Sequence, residues 1–318
     1  MPPIEHAPAY MWMNGSLVRW DEATVHASTL GWSTMAAVFE GIKAYWNADD
    51  GQLYGLQFAE HYRRFATSMR MQRMQSPWSP EDLVQASHEL LRANDIREDT
   101  YVRPLAYYGD SSWFGTQAES RTHVIIWTYP FQAILGSGKT LRACVSSWTR
   151  LSDNMLSPRI KCISNYQNSR LALVEANMNG YDSPILLNQQ GKVTEGPASC
   201  LFIVRDGIAI TPAITSGILE SITRASVLRL CRESLGIPTE EREVDRTELY
   251  VADEIFFCGT GAEIGPVSNV DGYTVGAGTI GPITQRIESA FHAIVRGRDP
   301  RYGEWVAPVH APVSSPAR

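Results

Sequence analysis

The chain has 318 residues, 28 Lys+Arg against 34 Asp+Glu, and a formal net charge of −6. Four of the basic residues are lysines (Lys43, Lys139, Lys161 and Lys192) and the other 24 are arginines. A mildly acidic chain with dispersed arginines lacks the basic face that neutralises phosphates, so no nucleic-acid partner is expected. Any chemistry that needs a side-chain amine has four candidates.

MWMNGSLVRW (11–20) reads as a hairpin, because Asn14-Gly15 between two apolar runs is a strong hairpin signal. VFEGIKAYWNADDGQLYGL (38–56) reads as a strand pair turning at DDG. From Phe58 to Met74 the spacing becomes helical, with Phe58, Tyr62, Phe65 and Met69 on one face. A second helix starts at Ser79-Pro80, where Ser79 can cap and Pro80 suits the first turn, and runs to about Asn94. TYVRPLAYYG and RTHVIIWTYPF are β-branched and aromatic, hence strands. QAILGSGKT (132–140) is Gly-rich without periodicity and reads as a linker. LRACVSSWTR then begins a second unit as a strand, and NYQNSRLALVEANMNG is a helix closed by Gly180. Hairpins follow around NQQG in SPILLNQQGKVTEG and at Asp206-Gly207 in CLFIVRDGIAITP. SITRASVLRLCRESLG is a helix ending at Gly236, EIFFCGTGAEIGPVSNVDG is strand, Gly-rich turn and strand, and TIGPITQRIESAFHAIVRG is the last helix.

This pattern predicts two α/β units of α+β type, not a doubly wound parallel sheet. The expected division is 1–129, a connecting loop 130–142, and 143–318, with the Pro-, Ala- and Ser-rich 306–318 read as a frayed tail. No apolar run approaches the roughly 20 residues of a membrane span, and MPPIEHAPAY has neither part of a secretory signal. The five cysteines are dispersed without C-x-x-C spacing, which implies no disulfide framework and no metal site. A reduced, cytoplasmic location is the expectation.

The lysines separate by context. Lys192 sits beside Gly191 in a turn and reads as surface. Lys139 lies in GSGKT, but the phosphate-loop pattern needs glycine where Ala133 stands. Lys43 is in the strand IKAY. Lys161 is flanked by Ile160 and Cys162 just before a helix, an apolar setting that suits either an amine nucleophile or a buried ion pair. Glu195, in KVTEGPAS, reads either as a solvated loop carboxylate or as a partner for a buried cation. Ser221-Ile222-Thr223 opens a helix whose first amides can hold a phosphate or be capped in the ordinary way. Gly259-Thr260-Gly261 is either a tight turn or an anion-binding nest. An amine, a carboxylate and two such turns together suit pyridoxal phosphate (PLP).

The residues then match a family. VFEGIKAY (38–45), HYRRF (61–65), YVRPL (101–105), IKCISNY (160–166), TEGPASCLF (194–202), SITR (221–224), ADEIFFCGTGAEIGPV (252–267) and VDGYTVGAGTIGPITQRIESAF (270–291) occur in this order. Over about 10–305 the chain resembles the branched-chain amino-acid aminotransferases, the fold-type IV, class IV PLP enzymes. The resemblance implies a small N-terminal α/β domain, a larger C-terminal pseudo-barrel domain of the D-amino-acid-aminotransferase-like type, and a homodimer or larger assembly. It implies a ping-pong amino transfer between an L-amino acid and 2-oxoglutarate.

By the same resemblance, Lys161 is the Schiff-base lysine and proton shuttle. Tyr166 binds the cofactor's phenolic oxygen and Glu195 its pyridine nitrogen. Arg64, Ile222, Thr223 and Thr260 hold its phosphate. Thr260 and Gly261 receive the substrate α-carboxylate, Arg103 the distal carboxylate of glutamate or 2-oxoglutarate, and Phe39 lines the side-chain pocket. The chain departs from the family at Thr34, where a tyrosine is usual, at Phe131 and Ile134 in the interdomain loop, at Cys200 for Asn, at Gly261 for Ala, and at Trp113 and Phe114. Thr34 and Phe131 are thereby candidates for the substrate pocket. Most of these positions would border the side-chain pocket, so an amino donor other than Leu, Ile or Val is an open expectation. The alternative class IV chemistries, an amine or D-amino-acid transaminase or an aminodeoxychorismate-lyase-like enzyme, are opposed by Arg103 in YVRPL and by the VDG…GPIT segment.

Overall fold

The structure, a computed structural model, describes residues 7–29, 31–109, 121–133 and 136–310. Its contacts divide the chain into two units. One holds Met1–Ser33, Phe39–Ala133 and Ala293–Arg318; the other holds Thr34–Val38 and Ile134–His292. The chain therefore changes unit between Ala133 and Ile134, inside the stretch read as a loop. Two segments depart from the expected division. Residues 34–38 group with the second unit and 293–318 with the first, because non-local contacts, not chain order, decide membership.

In the first unit, β1 (Tyr10–Met13) and β2 (Ser16–Arg19) form a hairpin over Asn14 and Gly15. Both turn residues have positive φ, 50° and 100°, as a two-residue type I′ turn demands. After the short α1 (Trp32–Met35) and β3 (Val38–Phe39), β4 (Ile42–Asn47) and β5 (Gln52–Leu56) form the second hairpin. Two helices follow. α2 (Phe58–Met71) buries Phe58, Tyr62, Phe65 and Met69 along one face. α3 (Pro80–Ala93) starts with a capping box, in which the Ser79 hydroxyl accepts from the Asp82 amide and the Asp82 carboxylate accepts from the Ser79 amide. β6 (Thr100–Tyr108) and β7 (Thr122–Pro130) pair antiparallel over nine residues each. Val102, Ala106, Val124 and Ile126 alternate onto the buried face, and α3 packs on β1 and β7.

Residues 306–308, read from the sequence as tail, instead form β16, which pairs with β5 at the sheet edge. The correction has a simple physical cause. An edge strand uses one side of its backbone, so Pro308 is tolerated there. The remainder of that tail, 311–318, lies outside the described residues, as do Trp113, Phe114 and Ile134. The strand path is β16-β5-β4-β6-β7-β1-β2.

The second unit contains β8 (Leu141–Thr149), α4 (Asn165–Met178) and β9 (Ser183–Leu187), with β8 and β9 parallel. β10 (Cys200–Arg205) and β11 (Ile208–Pro212) form the expected hairpin at Asp206-Gly207. α5 (Ile222–Leu230), continued by a π-type turn that ends at Gly236, leads to β12 (Thr239–Arg242), parallel to β11. These two parallel pairs are each bridged by a helix; a third parallel pair joins β8 to the strand Glu263–Val270. β13 (Glu254–Gly259), β14 (Glu263–Val270) and β15 (Tyr273–Thr274) complete a sheet with path β12-β11-β10-β13-β14-β8-β9 and β15 on β14. One face holds Ile185, Leu201, Ile203, Ile210, Ile255 and Phe257 in a single core. α6 (Pro282–Val295) starts where the buried Glu254 carboxylate accepts from the amides of Ile283 and Thr284. Around NQQG only β9 is a strand; the return is made by isolated bridges, with the Leu186 amide donating to the Glu195 carbonyl.

Candidate active site

Lys161 lies on an irregular segment just ahead of α4. Two neighbours fix that segment. The Asn165 side chain, buried at the head of α4, donates to the carbonyls of Ser157 and Ile160 at 2.8 and 2.9 Å. The Ile163 amide donates to the Ala37 carbonyl, and Cys162 bridges Val38. Lys161 is 9% exposed. Its Nζ donates to the Tyr166 hydroxyl at 2.6 Å. Tyr166 follows five residues later, in the first turn of α4, so the amine and the phenol meet through local chain geometry.

Glu195 is buried at the end of the NQQG return. Its Oε1 accepts from Arg150 Nη2 at 2.5 Å. Its Oε2 accepts from the Leu219 amide at 3.2 Å and lies 3.8 Å from the Cys200 thiol. Arg150, just past β8, is equally buried. Arg150, Tyr166, Glu195, Pro197, Leu219 and Ser221 line one cleft. The phenol beside Lys161, the Glu195 carboxylate and the N-cap of α5 therefore share a wall.

The two anion-grade turns sit nearby in the same unit. Ser221 caps α5, its hydroxyl accepting from the Arg224 amide at 3.2 Å. The amides of Ile222 and Thr223 open the helix and have no acceptor within it. Arg224 is buried and committed elsewhere, to Thr211, the Pro212 carbonyl and Glu241. Thr260, Gly261 and Ala262 connect β13 to β14, where Gly259 pairs with Glu263. A Cβ on Gly259 would stand 3.1 Å from the Ala198 carbonyl and 3.3 Å from Ser199 Cα. Glycine thus lets this turn approach the loop that follows Glu195.

The other expected residues have partners of their own. In the first unit Arg64 makes a two-pronged contact with Glu40, Nε to Oε1 at 2.7 Å and Nη2 to Oε2 at 2.8 Å. His61 Nδ1 joins the same carboxylate at 2.8 Å. Burial alone pushes Glu40 up, yet the Arg64 and His61 charges and hydrogen bonds hold it well below the usual carboxylate range. The Arg103 guanidinium lies 3.9 Å from the centre of the Phe39 ring. Phe131 packs on Tyr101, 5.4 Å between rings. Thr34, in the second unit, is exposed and borders an apolar cleft with Met35, Ile163 and Leu173 that shares Tyr166, Pro197 and Ala198 with the first cleft. Among the described residues no cluster of three or more His, Cys, Asp or Glu side chains could hold a metal, and all five cysteines are buried with none in a disulfide.

The family model described as amino-transferase class IV matches residues 37–270. The chain belongs to the class IV aminotransferases. The probable branched-chain-amino-acid aminotransferase of Aquifex aeolicus is 42% identical over 301 residues, covering 95% of this chain and 97% of that one. The branched-chain-amino-acid aminotransferase of Escherichia coli K12 is 37% identical, covering 95% and 97%. The crystal structure of the Thermobaculum terrenum branched-chain amino acid aminotransferase, in PLP form, superposes with a TM-score of 0.94 at 46% identity, covering 96% and 99%.

For this class IV aminotransferase, the order of the eight motifs pointed to the family that matches. Sequence reasoning missed Arg150 and Glu40, each the buried counter-ion of an expected site residue. Glu40 stands inside VFEGIKAY and Arg150 closes LRACVSSWTR, but charge pairing across 24 or 45 positions leaves no periodic mark.

Proposed function

We propose that this chain is a PLP-dependent transaminase. It moves an amino group between an L-amino acid of the branched-chain or hydrophobic type and 2-oxoglutarate in a ping-pong cycle. The observation that carries the reading is the Lys161–Tyr166 pair, whose phenol lines the same cleft as the buried Glu195. The donor set fits the cofactor: an amine beside a phenol, a buried carboxylate, and helix-opening amides at Ile222 and Thr223. When bound, PLP supplies a protonated pyridine ring that delocalises negative charge from the substrate Cα.

The chain's own groups then divide the work. Lys161 Nζ holds the cofactor and afterwards takes and returns the Cα proton. Tyr166 steadies the phenolic oxygen and Glu195 holds the proton at the ring nitrogen. Arg64, Ile222, Thr223 and Thr260 bind the phosphate. Thr260 and Gly261 take the α-carboxylate, and Arg103 the distal carboxylate of glutamate. Phe39, Phe131 and Thr34 border the side-chain pocket. The relatives' names support branched-chain donors. A homodimer or larger assembly in the cytoplasm accompanies this reading, and sedimentation of the pure protein tests the assembly.

Borohydride reduction of the yellow protein, followed by peptide mass analysis, should place a phosphopyridoxyl group on Lys161. Reduction on another lysine overturns the assignment. A donor panel with 2-oxoglutarate, read by glutamate release, should rank Leu, Ile and Val highest. A panel led by other amines would move the activity to another class IV chemistry.

A further inference from the structure

Arg150 is the feature of the second unit that the proposed chemistry leaves unused. It is buried and doubly tied. Its amide donates to the Leu187 carbonyl at 2.8 Å, and its Nε points to the Gly217 carbonyl at 3.4 Å. Its Nη2 meets Glu195 Oε1 at 2.5 Å. The Glu195 backbone is tied to the same strand end, its carbonyl accepting from Leu186. β9 therefore sets both members of the pair in register before their side chains touch. A carboxylate accepts roughly four hydrogen bonds. Arg150, the Leu219 amide and the Cys200 thiol account for three, which leaves room for one further donor at the cleft.

We propose that Arg150 is a positioning residue that fixes the Glu195 carboxylate and keeps the cofactor's ring proton on nitrogen. The inference rests on the reading of Glu195 as the ring-nitrogen partner. Its physical basis is charge and geometry. Guanidinium does not release its proton in proteins, so Oε1 always faces a positive charge. That charge opposes transfer of the ring proton to the carboxylate, and the charge of a buried neighbour is weakly screened. The fork geometry matters as well, because Nε and Nη2 engage two acceptors at once; lysine would supply the charge without the fork.

The experiment uses holoenzyme prepared with nitrogen-15-labelled PLP and reads the ring-nitrogen chemical shift, which separates protonated from unprotonated pyridine. Wild type, Arg150→Met, Arg150→Lys and Glu195→Gln are compared from pH 6 to 9. Arg150→Met should move the signal toward neutral pyridine and lower kcat by about 10- to 100-fold, the usual effect of removing a partner that orients a site group. Arg150→Lys should keep the protonated signal with a smaller loss of kcat. If Arg150→Met does not fold, Arg150→Lys decides: wild-type kcat in that variant overturns the proposal. A wild-type ring signal in a folded Arg150→Met overturns it too. If Glu195→Gln leaves the signal unmoved, the underlying reading of Glu195 fails instead.

Discussion

Each unit buries a lysine, and the polar atom that meets the amine differs between them. Lys43, in β4, is 0% exposed; its Nζ lies over the rings of Tyr45 and Phe131, 5.1 and 4.8 Å from their centres, and 3.4 Å from the Gln132 carbonyl. Lys161 sits on an irregular segment and meets a phenol at 2.6 Å. Lys161 Nζ also lies over a ring, 5.0 Å from the centre of Tyr166, so what separates the two is the acceptor: a backbone carbonyl for Lys43 and a hydroxyl for Lys161. A phenol at the edge of a cleft suits an amine that must gain and lose protons. Burial alone therefore does not single out the proposed Schiff-base lysine, since Lys43 is the more buried of the two.

The sharpest way to break this comparison is to remove each amine in turn. Lys161→Ala should lower transamination by about 10⁴-fold or more, the scale seen when a covalent catalyst is deleted. Lys43→Met should stay within about tenfold of wild type, since it keeps the side-chain volume and removes no proposed reacting group. Equal inactivation of two correctly folded variants would end the distinction.

The carboxylates extend the contrast to stability. Glu40→Leu strips Arg64 and His61 of a buried counter-ion and should cost about 3–5 kcal/mol in denaturant unfolding. The pH dependence has a definite sign. Glu40 titrates lower in the folded state than its usual range, so its contribution is present above that range and fades as pH falls toward the folded value. The gap between wild type and Glu40→Leu should narrow on acidification; a gap that widens contradicts the pairing.

Arg103→Ala should weaken the half-reaction with glutamate by about 10- to 100-fold, the scale of a hydrogen bond to a charged group, while sparing a neutral donor. Equal losses in single-turnover assays would deny it a role toward the distal carboxylate. The smallest effect is expected at Ser79→Ala, a cap worth about 1 kcal/mol. It should lower thermal stability and leave kcat unchanged.

What could be read in the sequence was what local chemistry dictates. Asn14-Gly15 and Asp206-Gly207 turned as expected because two consecutive positive φ values suit few residue types. Ser79, Pro80 and Asp82 start a helix for reasons contained in four residues. Lys161 and Tyr166 meet because five residues at a helix start bring them together. The rest depends on distant chain. β16 was hidden because its Pro- and Ala-rich sequence has no strand signal of its own and borrows order from β5. Arg150 finds Glu195, and Glu40 finds Arg64, only once a sheet or a helix has formed.

The amide of Asn165, spanning the carbonyls of Ser157 and Ile160, has a consequence for speed as well as shape. It removes the rotational freedom of the segment that bears Lys161 once, when the second unit folds. That disorder need not be removed again at each turnover. On the proposed reading, the amine therefore waits aimed, and the ties that shape its segment serve both the fold and the reaction.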